Sequence, residues 1–119
     1  MCGIVGYIGS RDVPSVLLGS LWRLEYRGYD SSGIAVISNS ELLLRKVPGK
    51  LSELEELIKS KPVSGELGIG HTRWATHGLP QENNTHPLLD CSEEIALVVN
   101  GIIENYQELR AQLTAEGVT

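Results

Sequence analysis

Basic runs, long apolar runs and cysteines are all scarce in this 119-residue sequence, and each scarcity excludes a class of protein. The net charge is −5 and no lysine or arginine run could follow a phosphate backbone, which argues against nucleic acid as a partner. The longest apolar runs, such as residues 95–99, are strand-length and too short to span a bilayer. The first residues, MCGIVG, lack the basic and apolar regions of a signal peptide. Without an export signal, Cys2 and Cys91 do not indicate a disulfide framework, and we expect a reduced, cytoplasmic protein.

The apolar content is sufficient for one small folded domain, since hydrophobic residues make up 41% of the sequence. Short apolar runs predict strands, and apolar residues at helical spacing predict helices. Their order is strand, helix, strand pair, helix, strand, long loop, strand and helix, with the helices packed outside the sheets. The predicted strands cover residues 2–8, 33–37, 42–47, 67–72 and 95–99, and the predicted helices are capped at Asp12, Ser52 and Asn105.

Several local signals support these elements. Residues 38–40 (SNS) predict a hairpin turn, and Ser52-x-x-Glu55 predicts a capping box at the start of the second helix. Residues 75–93 predict a long loop of the kind that is usually functional, and residues 95–99 a buried strand. Gly117 predicts the end of the last helix. The chain stops two residues later, which suggests part of a longer domain.

Cys2 is the first candidate catalytic residue. Loss of Met1 would leave a free α-amine beside the thiol, and the two groups ordinarily titrate near pH 8 and 8.5, respectively. The amine could therefore take the thiol proton directly or through a water, as in enzymes with an N-terminal threonine nucleophile. The alternative is a small buried hydrophobic residue on the first strand, which the Met-Cys pair alone would favour.

Two further groups of residues fit the needs of such a nucleophile. Thiolate attack on an amide creates an oxyanion, and the Asn100 side-chain NH₂ with the Gly101 backbone N–H could supply two donors. Taken alone, an Asn-Gly pair is more typical of a turn. Residues 71–78 (HTRWATHG) offer Arg73 at a strand end, where it could grip a carboxylate with two hydrogen bonds, although a structural ion pair is the alternative.

The same segment also contains histidines that could suggest a metal site. His71, His77 and His86 with Cys2 would be the donors, but their spacings match none of the common zinc patterns. A metal centre is therefore the weaker hypothesis.

Together these motifs resemble the class II glutamine amidotransferases, whose glutaminase domain is of the N-terminal nucleophile hydrolase type. MCGIVG is shared widely across that class. Residues 24–31 (LEYRGYDS), 71–78 (HTRWATHG) and 100–105 (NGIIEN) are narrower, and are similar to the branch that converts fructose 6-phosphate to glucosamine 6-phosphate. The resemblance implies an α+β fold, a four-layer α/β/β/α sandwich, of which residues 1–119 would be an incomplete N-terminal portion.

The resemblance also implies the roles of individual residues. Cys2 would be the nucleophile and its amine the base, with Asn100 and Gly101 as the oxyanion hole. Arg73 would bind the glutamine α-carboxylate with help from Thr76 and His77. Trp74 and the loop through Gln81 would close over glutamine, and Arg27 would be a supporting residue.

The implied partners are L-glutamine here and fructose 6-phosphate at a C-terminal sugar-phosphate isomerase region that these residues do not include. No metal or organic cofactor is implied, and the full-length enzyme would be a homo-oligomer. The family's acidic residue for the glutamine α-amino group lies beyond residue 119, so we expect the isolated chain to be a weak or inactive glutaminase. Two alternatives stay open: another class II amidotransferase, making purine precursors or asparagine, and a non-catalytic domain that keeps the fold.

Overall fold

The computed structural model describes residues 3–24, 31–73, 85–101 and 103–118. None of the helices in these ranges is long and apolar enough to cross a membrane. In chain order the elements are β1 (Gly3–Ile8), α1 (Val13–Leu24), β2 (Ser31–Ser38), β3 (Glu41–Val47), α2 (Leu51–Ser60), β4 (Leu67–Arg73), β5 (Leu88–Leu89), β6 (Ala96–Leu97) and α3 (Tyr106–Ala115).

Four strands form one antiparallel sheet in the order β1-β4-β2-β3. β4, although late in the chain, therefore lies at the centre, between β1 and β2. One transverse row of this sheet matters for the site: Ile4 lies opposite His71, and Gly33 lies between His71 and Lys46. The row brings together residues from all four strands that are far apart in sequence.

The core lies between this sheet and the helices α1 and α2. Leu17 and Leu21 of α1 and Leu54 of α2 are fully buried there, against Ile34 of β2. A Cβ added at Gly68 of β4 would meet α1 side chains, so the even-numbered residues of β4 face the helices. Because side chains alternate along a strand, His71 and Arg73 belong to the opposite face.

The structure confirms the predicted hairpin turn and the end of the last helix. Asn39 and Ser40 connect β2 to β3 with φ angles of 50° and 67°, both positive, as a type I′ turn requires. Gly117 follows α3 with φ of 89°, a conformation that glycine adopts without steric cost.

The predicted capping box at Ser52 and Glu55 is wrong by two residues. α2 begins at Leu51, and the Lys50 backbone N–H donates to the Glu53 carboxylate at 2.8 Å. Leu51 is fully buried in the core, and this packing places the helix start earlier in the chain than the local motif indicated.

The prediction of a buried strand at residues 95–99 is also wrong within the part of the chain described. β6 covers only Ala96–Leu97 and pairs with β5, which lies inside the predicted long loop. Ile95 and Leu97 are 65% and 59% exposed. An apolar run predicts burial only where another layer covers it, and no described element covers β6.

Candidate active site

Three strand ends meet at one edge of the four-stranded sheet. Gly3, the first residue of β1, lies opposite Thr72 near the end of β4, and Ser31 at the start of β2 lies opposite Arg73. Arg73 is the last residue of β4 and is only 9% exposed. The edge therefore joins the sequence neighbour of Cys2 to the candidate carboxylate-binding arginine.

Residues 85–87 cross the face of the sheet that bears His71 and Arg73. The Lys46 ammonium donates to the backbone carbonyls of Thr85 at 3.0 Å and Pro87 at 3.3 Å. The segment passes so close to Gly33 that an added Cβ there would lie 2.3 Å from the His86 carbonyl oxygen. A glycine and a lysine in one row of the sheet thus hold this segment down.

Two histidines stack where this segment crosses β4. The rings of His71 and His86 have centroids 4.4 Å apart and an interplanar angle of 24°. The Val99 backbone N–H donates to Nδ1 of His86 at 3.4 Å. The pair therefore connects β4 to the backbone just before Asn100 and Gly101.

Asn100 is attached directly to β4 through His71. The Asn100 Oδ1 and His71 Nε2 atoms are 3.1 Å apart, and His71 is 1% exposed. Asn100 and Gly101 themselves are exposed, beyond the end of β6. The candidate oxyanion donors thus lie on the solvent side of a buried histidine, on the strand that ends at Arg73.

Burial lowers the pKa of both imidazoles, which favours their neutral forms. Burial lowers the pKa of His86 to about 4, and the positive charges of Arg73 and Lys46, together with His71, add to the shift. Burial also lowers the pKa of His71, with a smaller contribution from Arg73, although the hydrogen bond with the Asn100 side chain and the nearby Val99 backbone oppose the shift. Neutral imidazole can donate through one nitrogen and accept through the other, which the stacked pair requires.

The remaining predicted site residues fall outside the described ranges: Cys2, Arg27, Trp74, Thr76 and His77. Of the predicted set, the structure describes Arg73, Asn100 and Gly101, and it links the first two through β4 and His71. Cys91 is exposed in the turn before β6, and the structure suggests no role for it.

Three residues of this arrangement carry no sequence signal for the positions that they take. Lys46 and Gly33 are 13 residues apart and carry no motif, and His86 was considered only as a metal donor. The His71 and His86 rings stack on each other. Nε2 of His71 contacts Asn100, and Nδ1 of His86 accepts the Val99 backbone N–H. This pair therefore lends no support to the metal hypothesis. The strand alternation of His71 and Arg73 was the one available signal that both share a face.

Comparison with known proteins identifies the family to which the chain belongs. Residues 59–119 match the model of the glutamine amidotransferase domain. The chain belongs to this family. Among curated relatives, it is 56% identical over 118 residues to a glutamine–fructose-6-phosphate aminotransferase [isomerizing] of Bacteroides thetaiotaomicron and 55% identical over 117 residues to that of Thermosynechococcus vestitus. Each alignment covers 98% of this amidotransferase chain but only 19% of the relative, so the chain spans about a fifth of the relatives' length.

Solved structures confirm the predicted N-terminal nucleophile hydrolase fold for this amidotransferase chain. The glutamine phosphoribosylpyrophosphate amidotransferase of B. subtilis, complexed with ADP and GMP, matches with a TM-score of 0.79 and 28% identity. A structure described as the allosteric regulatory enzyme of purine biosynthesis matches with a TM-score of 0.83 and 30% identity. Each match covers the whole of this chain and 26% of the other.

Proposed function

We propose that this chain, as part of a longer protein, contributes to the glutaminase half-reaction of a glutamine–fructose-6-phosphate aminotransferase. Residues 1–119 would be the N-terminal portion of its glutaminase domain, and a sugar-phosphate isomerase region in the longer protein would use the ammonia. Family membership and 50–56% identity to aminotransferases of that name support this proposal. We further propose that the whole enzyme is cytoplasmic and homo-oligomeric.

Arg73 and Asn100 are the structural observation that supports the proposal most directly. Arg73 ends β4 on the face where Asn100 contacts His71, at the edge where Gly3 begins β1. A glutaminase needs a cation for the substrate carboxylate, donors for the oxyanion and a nucleophile within one site. This edge of the sheet offers the first two, next to the sequence neighbour of Cys2.

The proposed reaction begins at the Cys2 thiol. The α-amine exposed by removal of Met1 accepts the thiol proton, and the thiolate attacks the glutamine side-chain carbonyl. The new C–S bond converts the carbonyl oxygen to an oxyanion, which accepts hydrogen bonds from the Asn100 side chain and the Gly101 backbone N–H. The α-ammonium then returns its proton to the leaving nitrogen, and ammonia departs.

Water completes the cycle. The amine takes a proton from water as water attacks the thioester, and collapse of the second tetrahedral intermediate releases glutamate and restores the thiol. Throughout, the Arg73 guanidinium binds the glutamine α-carboxylate through paired hydrogen bonds, assisted by Thr76 and His77. Trp74 and the loop through Gln81 close over the bound glutamine, and Arg27 supports the site. In the isomerase region, the released ammonia replaces the C2 carbonyl oxygen of fructose 6-phosphate, which leaves as water, and isomerisation to the aldose gives glucosamine 6-phosphate.

Substitution of the two cysteines tests the nucleophile. In the full-length protein that carries this sequence, Cys2→Ala should abolish glutamate release from glutamine, because the proposed mechanism uses the Cys2 thiolate as its nucleophile. Cys91→Ala is the matched control, since Cys91 is exposed and lies outside the proposed site, and it should retain full activity. Intact mass spectrometry should show that Met1 is absent. Full hydrolysis by Cys2→Ala, or retention of Met1 in the active enzyme, contradicts the mechanism.

Two further assays test the extent of the glutaminase domain and the identity of the ammonia acceptor. The isolated 119-residue chain should release glutamate weakly or not at all, and robust release would contradict the proposed division of the domain. Formation of glucosamine 6-phosphate from fructose 6-phosphate by the full-length protein tests the acceptor. An active glutaminase that uses only phosphoribosyl pyrophosphate would instead favour the purine-type amidotransferases, which are less similar at 28% identity.

A further inference from the structure

Asn100 and Gly101 lie in an exposed segment that follows a very short strand. β6 is two residues long, and Val99, Asn100 and Gly101 are exposed. An oxyanion donor is effective only when its direction is fixed before the reaction. Some contact outside β6 must therefore hold this segment in place.

The stacked histidines provide two such contacts. His71 Nε2 meets the Asn100 side-chain oxygen at 3.1 Å, and His86 Nδ1 accepts the Val99 backbone N–H at 3.4 Å. One contact orients the Asn100 amide, and the other orients the backbone that leads to the Gly101 N–H. His71 belongs to the centre of the sheet and is 1% exposed, so it is a rigid support.

The geometry determines which protons the rings carry. The amide oxygen of Asn100 can only accept, so His71 Nε2 must carry a proton. Nδ1 of His71 is buried with no hydrogen-bond partner among the described residues, and a bare acceptor is tolerated there more readily than an orphaned N–H. Among the described residues, the side-chain charges that lower the pKa values of the pair are those of Arg73 on β4 and Lys46 on β3, and they disfavour a second proton on either ring.

We propose that His71 is a positioning residue for the oxyanion hole, which it serves as a neutral Nε2–H tautomer that holds the Asn100 side-chain oxygen. Since the two polar atoms of an amide point in different directions, fixing Oδ1 on His71 directs the Nδ2 donor away from His71. His86 stacks on the ring and fixes the preceding backbone. The inference rests on the proposed glutaminase function, because it assigns His71 a role in that reaction.

The test compares His71→Phe with His71→Gln in the full-length protein. Phenylalanine keeps a stacked ring but has no donor, so kcat for glutamine hydrolysis should fall about 10–100-fold, while KM should change less than about twofold. The side-chain amide nitrogen introduced by His71→Gln can replace Nε2 as the hydrogen-bond donor. This variant should therefore recover kcat to within about fivefold of the wild type. A residue with a merely structural role would respond to size rather than to the donor.

The variant Asn100→Ala tests whether His71 acts through Asn100. If His71 acts through Asn100, the double variant His71→Phe/Asn100→Ala should be no slower than Asn100→Ala alone. Losses that multiply, an unchanged kcat in His71→Phe, or no rescue by His71→Gln would each overturn the proposal. Urea denaturation identifies variants that fail to fold. If His71→Phe is one of them, kcat of His71→Gln is compared with that of the wild type instead.

Nitrogen chemical shifts separate this inference from the proposed function. In ¹⁵N-labelled wild-type protein at neutral pH, His71 should show the Nε2–H tautomer whether or not glutamine is hydrolysed. The Nδ1–H tautomer or a protonated ring would overturn the positioning proposal alone. Conversely, wild-type protein that shows the expected tautomer but no glutaminase activity would contradict only the proposed function.

Discussion

Gly33→Ala tests the close approach of residues 85–87 to the sheet. The added Cβ would lie 2.3 Å from the His86 carbonyl oxygen, 2.7 Å from the Lys46 Cβ and 2.9 Å from the Pro87 Cδ. Real Cβ atoms essentially never come within 3.0 Å of such neighbours, so the carbonyl must move by at least 0.7 Å. The sheet backbone cannot yield easily at this position because Gly33 is paired on both sides, and the segment is therefore expected to move.

The cost combines a steric and a polar contribution. Overpacking of this kind costs about 1–3 kcal/mol. Displacement of the segment also weakens the hydrogen bonds from Lys46, and a bond to a charged donor contributes about 1.5–3 kcal/mol. The reduced freedom of the unfolded chain offsets about 0.4–1 kcal/mol. We therefore expect the free energy of unfolding to fall by about 2–4 kcal/mol in Gly33→Ala.

Urea denaturation measures this change, and a second glycine provides the control. Gly19 lies within α1, and an added Cβ there has no neighbour within 4 Å. Gly19→Ala should therefore stabilise the protein by up to about 1 kcal/mol through helix propensity. With an m-value of about 1–3 kcal/mol/M, the midpoint of Gly33→Ala should shift down by about 1–3 M. A wild-type midpoint for Gly33→Ala, alongside the expected gain in Gly19→Ala, would refute the close approach.

Two other predictions concern the charges around the same segment. Because the pKa of His86 falls from 6.5 to about 4 on folding, the unfolded state binds more protons between these values, and stability should rise with pH from about 4 to 6.5. The full shift corresponds to about 3 kcal/mol, which solvent screening of this half-buried ring reduces to about 1–2 kcal/mol. Urea midpoints across this pH range measure the slope, and a slope in His86→Phe as steep as in the wild type would contradict the assignment. Lys46→Met removes two hydrogen bonds to backbone carbonyls and should cost about 1.5–3 kcal/mol in the same assay. Lys59→Met, which removes only the exposed pair with Glu56, should cost at most about 0.5 kcal/mol, and equal losses in the two variants would count against the anchoring role of Lys46.

The elements of the main sheet and the first helix could be predicted from local patterns. Short apolar runs led to β1–β4 within one or two residues at each end, and apolar residues at helical spacing led to α1. The β2–β3 turn followed from its composition, since asparagine tolerates positive φ. These predictions succeed because each pattern reflects interactions within a few residues.

Predictions that needed the neighbouring layer were wrong. The start of α2 depended on the burial of Leu51, which a capping motif does not encode. The run at residues 95–99 was expected to be a buried strand, but only two of its residues pair in the part of the chain described, and they pair with β5. Burial depends on what else the chain brings to that surface, and no local pattern specifies it.

Residue chemistry together with the family resemblance suggested the candidate site, whereas the tertiary structure was needed to show how its described residues connect. A terminal thiol, an Asn-Gly pair and an arginine at a strand end can each be recognised in the sequence, because the reaction requires those chemical groups. The connection between the strand of Arg73 and Asn100 runs through His71 and its neighbours, over separations of 29 residues to Asn100 and 15 residues to His86. Only the position of β4 at the centre of the sheet brings these groups into contact, because antiparallel pairing and packing, rather than sequence proximity, decide which side chains share a face.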